Sequence, residues 1–81
     1  MDTNDARTLL SNLLGTIAPE IDLSDAARDA RLQDDFDLDS MDFLTLVTSL
    51  YDATGVDVPE REYSRLATIG GFTDYVVAHT S

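Results

Sequence analysis

Cysteine is absent from the 81-residue chain, so neither a disulfide nor a thiolate metal site can staple the fold. Stability then has to come from packing the 43% of residues that are hydrophobic. A domain of this length buries only about 60% of its unfolded surface, which leaves little room for an enzyme cleft. Freedom from cysteine fits a reducing cytoplasm, the expected location. Lysine is absent too: five arginines face thirteen aspartates and three glutamates, for a formal net charge of -11. Nucleic acid is repelled by such a surface, whereas basic protein partners are attracted to it and meet it faster. Solubility alone also explains an acidic balance, and the hydrophobic content argues against a wholly disordered acidic tail. No stretch approaches the roughly 18 apolar residues of a membrane span, and Met1-Asp2-Thr3-Asn4-Asp5 lacks the basic and apolar regions of a signal peptide. No internal repeat, low-complexity segment or dividing linker interrupts the sequence. The expectation is one soluble, monomeric, free-standing domain over residues 1–81.

What is present is helical periodicity. From Asp5 to Ala18, the residues Ala6, Leu9, Leu10, Leu13, Leu14, Ile17 and Ala18 recur at three- and four-residue steps, and Pro19 closes the helix. Glu20 to Leu38 holds no sustained period, which predicts a long, ordered first loop anchored by Ile21, Leu23, Leu32 and Phe36, with a short helix near Asp25 to Ala30. A second helix is predicted from Ser40 to Thr54, ended by Gly55. At about 100° per residue, Phe43, Leu46, Val47, Leu50, Tyr51 and Ala53 share its inner side; Met41, Asp42, Thr45, Thr48, Ser49 and Asp52 share the outer. Val56 to Pro59 reads as an extended connector. Pro59-Glu60-Arg61-Glu62 opens a short helix ending near Leu66, and Thr68 caps a last helix carrying Ile69, Phe72, Tyr75, Val76 and His79 on one side. Gly70 and Gly71 weaken that helix, which tight packing against a neighbour would explain. The predicted fold class is all-α: a four-helix bundle with three longer helices, one short helix and a long first loop.

The acidic run from Gln33 to Leu44 offers three kinds of chemistry. Asp35, Asp37 and Asp39 alternate like the opening ligands of a calcium loop, but the sixth position is Ser40 instead of glycine and the twelfth is Leu46 instead of glutamate. That argues against a dedicated calcium loop and leaves weak cation binding by clustered carboxylates open. A serine nucleophile needs a base, and the single histidine, His79, falls on the apolar stripe of the last helix, where a partly buried structural role suits it better. Carboxylate pairs such as Asp35 and Asp39 lack an accompanying phosphate loop, metal spacing or cleft, so the chain is read as no enzyme. The third possibility is modification of Ser40, which stands where loop becomes helix. Asp39 can cap that helix equally well, leaving the Ser40 hydroxyl available.

On Asp39-Ser40-Met41-Asp42, and on the succession of helix, long loop, motif, acidic helix, Gly55 to Pro59 connector, short helix and Thr68-initiated helix, the chain resembles the acyl carrier protein family. Members of that family carry 4'-phosphopantetheine on a serine in an Asp-Ser-Leu or Asp-Ser-Met motif at the start of the second helix. The resemblance implies Ser40 as the covalent attachment point and acyl groups held as thioesters, which explains how a cysteine-free chain takes part in thioester chemistry. It implies a phosphopantetheinyl transferase and acyl-loading and acyl-transfer enzymes with basic docking patches as partners. Asp35, Asp39, Met41, Asp42, Asp52 and Glu60, with Glu62 adding negative surface, then form the recognition surface. Phe43, Leu46, Val47 and Leu50, simply core by periodicity, would also border the space into which an acyl chain folds, with bulky Phe43 narrowing its entrance.

Two departures from the family pattern stand out. Many carriers have glycine two residues before the motif aspartate, where this chain has Asp37. Thr45, Ser49 and Tyr51 occupy the second helix where housekeeping fatty-acid carriers place carboxylates, which points to a specialised fatty acid, lipid or polyketide pathway. An aminoacyl or peptidyl carrier remains a competing reading, as does an unmodified acidic helical interaction module.

Overall fold

The computed structural model describes residues 1–23 and 26–80. Helix α1 runs Thr3–Ile17, begun by Asp2, whose Oδ1 accepts the Asp5 N–H at 2.8 Å. It starts two residues ahead of the sequence reading because Asp2 is the better-placed cap. Helix α2 is Leu32–Phe36, α3 is Ser40–Thr54, a 3-10 helix spans Glu60–Leu66, and α4 is Ile69–Thr80. The all-α class holds, with three long helices and short ones between them. Gly55, at φ 77°, closes α3 in the left-handed conformation, which a residue without a Cβ adopts at little cost. Thr68 caps α4 through a 3.0 Å bond from the Gly71 N–H to Oγ1.

The core is one cluster in which Ala6, Leu10 and Leu14 of α1 meet Leu46 and Leu50 of α3, Leu66 of the 3-10 helix and Ile69, Phe72 and Val76 of α4. Each buried Leu, Ile, Val or Phe contributes about 1.5–3 kcal/mol over an exposed one. The sequence misplaces several residues relative to this core. The short helix expected near Asp25 to Ala30 is not at 26–30, where the chain only turns; Asp25 lies outside the described residues, and the helix of the first loop is instead Leu32–Phe36. Tyr51 and Ala53, expected on the inner side of α3, are exposed: with about 100° between residues they stand at the two margins of the stripe formed by Phe43, Leu46, Val47 and Leu50. His79 is an exposed residue stacked on Tyr75, with ring centroids 4.0 Å apart. The short third helix is 3-10 rather than α, with Pro59 before its first residue.

The first loop is tied down by backbone. Leu32 N–H donates to the Ala67 carbonyl at 2.9 Å, Ile69 N–H to Ala30 at 3.1 Å and Gly70 N–H to Arg28 at 2.8 Å, with an antiparallel bridge between Arg31 and Thr68. Arg7 of α1 adds a guanidinium Nη2 that donates to the carbonyls of Leu23, at 2.9 Å, and Ala26. Arg28 lies across Gly70, where a Cβ would meet its guanidinium at 2.9 Å, and pairs with Asp74 at 2.7 Å. Tight packing at the paired glycines, inferred from the sequence, is therefore observed. At Gly71 the neighbour is backbone: a Cβ there would stand 2.2 Å from the Arg65 carbonyl oxygen.

The 3-10 helix is held to α4 by side chains. The Tyr75 hydroxyl donates to Glu62 Oε2 at 2.8 Å, Arg65 Nη1 donates to Glu62 Oε1 at 3.0 Å, and the Arg65 guanidinium lies 5.2 Å from the Tyr75 ring centre. The Tyr75 hydroxyl, above all, lowers the Glu62 pKa; burial, and then the Glu62 bond, raises that of Tyr75.

Two stability measurements follow. Gly71→Ala should lower unfolding free energy by about 1–3 kcal/mol through overpacking against Arg65, whereas Gly15→Ala, in the last turn of α1 with nothing within 4 Å of its Cβ, should raise it by up to about 0.5–1 kcal/mol; urea titration reads both. Comparing the parent with Tyr75→Phe across pH tests the Glu62 tie. A lowered Glu62 pKa stabilises the fold above the ordinary value of 4.5, and that benefit fades as pH falls. A raised Tyr75 pKa stabilises it below the ordinary 10.0, fading as pH rises. The parent's advantage should thus be a plateau between these limits, declining on both sides.

Candidate functional site

The start of α3 exposes Ser40. Asp39, in extended backbone, performs the capping: its Oδ1 accepts the Asp42 N–H at 2.8 Å and its carbonyl accepts the Phe43 N–H at 3.0 Å. The Ser40 hydroxyl makes no hydrogen bond with a described residue, and in the first turn the N–H groups of Ser40 and Met41 stay without a backbone partner. A primary alcohol thus stands on the surface at the positive end of a four-turn helix, free to take a substituent without breaking any bond of the fold.

The approach to Ser40 is set by the turn before it. Asp37 closes α2 at φ 57°, ψ 31°, the only non-glycine among the described residues with positive φ. The conformation reverses the chain between α2 and α3, and it accounts for a preference for glycine at this place. Leu38, the residue after this reversal, is only 4% exposed and anchors the chain in the core. Substitution at 37 should rank stability Gly at or above Asp, and Ala lowest, with about 1 kcal/mol between Gly and Ala in chemical denaturation.

A groove of about 440 Å³ opens beside Ser40. Arg31, Gln33, Glu60 and Ser64 supply its polar wall; Phe43, Leu44 and Tyr63 its apolar one. Of the carboxylates marked in the sequence, Asp35 turns back to accept the Arg31 N–H at 2.7 Å and so caps α2, and Asp39 caps α3. Asp35, Asp37 and Asp39 are therefore not aimed at one point, and no cluster of three potential metal-binding side chains occurs among the described residues. The side-chain carboxylates of Asp42, Asp52 and Glu60 form no hydrogen bond or ion pair with a described residue. Glu62 is engaged with Tyr75 and Arg65.

Met41 is 73% exposed, Leu44 46% and Tyr51 54%. Between them, the Thr45 and Thr48 hydroxyls donate to the carbonyls of Met41 and Leu44, each at 3.0 Å, so the hydrogen-bonding capacity of that face is turned onto its own helix. Phe43 borders the groove and Val47 a second opening of about 320 Å³ with Tyr51, Val58 and Tyr63. Leu46 and Leu50, fully buried, line neither. Sequence reasoning missed Arg31, Tyr63 and Ser64, whose only signal was a polar or aromatic residue within short segments lacking a clear period.

Compared with known proteins, a family model described as a phosphopantetheine attachment site matches residues 5–76. The acyl carrier protein of Lactobacillus johnsonii is 36% identical over 59 residues, covering 73% of this chain and 74% of the relative. That of Rubrobacter xylanophilus is 32% identical over 59 residues, 73% of each chain, and that of Tropheryma whipplei 29% over 58 residues, 72% of this chain and 71% of the relative. No helix among the described residues is long and apolar enough to cross a membrane. The chain belongs to the acyl carrier protein family, non-catalytic carriers whose prosthetic group is 4'-phosphopantetheine.

Proposed function

We propose that Ser40 Oγ is the attachment point of the 4'-phosphopantetheine arm and that the chain is a discrete carrier of acyl groups. The observation that carries this is the uncommitted, exposed Ser40 hydroxyl at the first residue of α3, with Asp39 taking over the capping role. The site suits the group: the N–H groups of the first turn face a phosphodiester favourably, by about 0.3–1 kcal/mol at an exposed helix end. When bound, the arm supplies a thiol on which an acyl group rides as a thioester. The adjoining groove provides a guanidinium from Arg31, an amide from Gln33 and a hydroxyl from Ser64 for a chain leading away from Ser40.

The phosphopantetheinyl transferase and the acyl-handling enzymes dock around this point on Asp39, Met41, Asp42, Asp52 and Glu60, with Asp35 contributing charge from α2. Basic patches on those enzymes are steered by the -11 net charge. The outer face of α3 offers only Asp42 and Asp52 as carboxylates, and Met41, Leu44 and Tyr51 take the contact area instead. Such a face suits partners that grip by apolar contact, which supports service in a specialised fatty acid, lipid or polyketide pathway.

Intact mass after incubation with coenzyme A and a broad-specificity phosphopantetheinyl transferase tests the reading. One phosphopantetheine should add to the parent and none to Ser40→Ala. An unmodified parent beside a modified control carrier would remove the proposal.

A further inference from the structure

Two openings flank the seam between α3 and the 3-10 helix, and Tyr63 lines both. On one side lies the groove of about 440 Å³ that contains Ser40; on the other lies the opening of about 320 Å³ lined by Val47, Thr48 and Tyr51. Tyr63 meets Phe43 edge to face, with centroids 5.6 Å apart and planes at 68°. Phe43 is itself 7% exposed, and Leu46, Leu50 and Leu66 are fully buried. The 3-10 helix that presents Tyr63 is fixed to α4 through Glu62, Tyr75 and Arg65.

We infer that Tyr63, braced against Phe43, is a divider that keeps cargo in the open groove beside Ser40 and out of the helical core, so that this carrier favours short or polar acyl groups over long alkyl chains. The inference rests on the reading of Ser40 as the attachment point. An interior packed to the density of a molecular crystal admits an alkyl chain only by parting the side chains that fill it. Phe43 and Tyr63, in ring contact, both wall the groove at Ser40, and three fully buried leucines are core residues that an entering chain would have to part. Within the groove, Arg31, Gln33, Glu60 and Ser64 offer donors and acceptors. Hydroxyl, keto or amide groups on a cargo satisfy them, whereas an alkyl chain laid there covers polar groups without replacing their bonds to water.

The test loads the protein with acetyl-, hydroxybutyryl- or octanoyl-phosphopantetheine from the corresponding coenzyme A thioesters, checks each by intact mass, and compares melting temperatures. In a domain of this size one buried methylene is worth roughly 4 °C. The octanoyl and acetyl forms of the parent should melt within about that interval, while in Tyr63→Ala the octanoyl form should rise above the acetyl form by more than it. Tyr63→Val is read in the same way where the alanine variant does not fold. A parent stabilised by octanoyl well beyond that interval would overturn the inference, and so would a flat series in the folded Tyr63 variant. Absence of the arm at the mass stage instead removes the Ser40 reading, and this inference with it.

Discussion

Three backbone hydrogen bonds between residues 28–32 and 67–70 hold the site together. A first loop without regular periodicity would normally be the loosest part of a small helical domain. Here its second half is paired, strand-like, with the entry to α4, and the pairing fixes where α2 begins. Everything downstream inherits that position. The Asp35 carboxylate caps α2 by reaching back to Arg31, Asp37 reverses the chain, Leu38 plugs the core, and Asp39 starts α3 with Ser40 facing outwards. The close approach also explains the two glycines of α4: Gly70 makes room for Arg28 and Gly71 for the Arg65 carbonyl. The helix propensity lost there, about 1 kcal/mol per glycine, is exchanged for contacts that locate the opposite wall of the groove.

The carboxylates around the site divide into those that build it and those left for others. Asp35 and Asp39 are consumed as caps, Asp34 pairs with Arg31 at 2.9 Å, and Glu62 ties the 3-10 helix to α4. Asp42, Asp52 and Glu60 have no such engagement among the described residues and remain as field sources. A chain with thirteen aspartates therefore presents a thinner unengaged acidic surface than its composition suggests, beside the exposed Met41, Leu44 and Tyr51 of α3.

Much of this was legible in the sequence, where the physics is local. The bounds of α3 followed from an aspartate before it and a glycine after it; the Thr68 cap followed from its hydroxyl, and the inward positions of α1 and α4 from a period of 3.6 residues. That Asp39 caps α3 and leaves the Ser40 hydroxyl unengaged followed from two residues competing for one capping role. The failures were tertiary. Helix α2 is only five residues long, too short to show a period or to be stable alone, and exists because the loop pairing and Leu32 hold it. Tyr51 lies at the margin of the buried stripe of α3, where periodicity alone does not decide burial. The left-handed backbone of Asp37 is set by the reversal it serves, and an aspartate gives no sign of it beyond tolerance. Tyr63 gained its position from packing against Phe43, a contact across some twenty residues that no periodicity encodes.

The electrostatics of a phosphodiester on Ser40, as proposed, come close to cancelling. The unpartnered N–H groups at the start of α3 favour an anion by about 0.3–1 kcal/mol. A carboxylate about 8 Å away in water opposes it by about 0.5 kcal/mol before screening, and physiological salt, with a Debye length of about 8 Å, reduces that further. Asp39 and Asp42 thus do little to the arm itself. Their field acts on something larger and of opposite sign, since a basic protein surface meets all the carboxylates at once while a single phosphodiester meets only its neighbours. The same arrangement that leaves the serine chemically accessible and electrostatically near neutral makes the surface around it a target for cationic partners. Because attraction of this kind is long-ranged and weakly oriented, under the proposed function the choice among such partners falls to short-range contacts, for which Met41, Leu44 and Tyr51 are the exposed large apolar residues of α3.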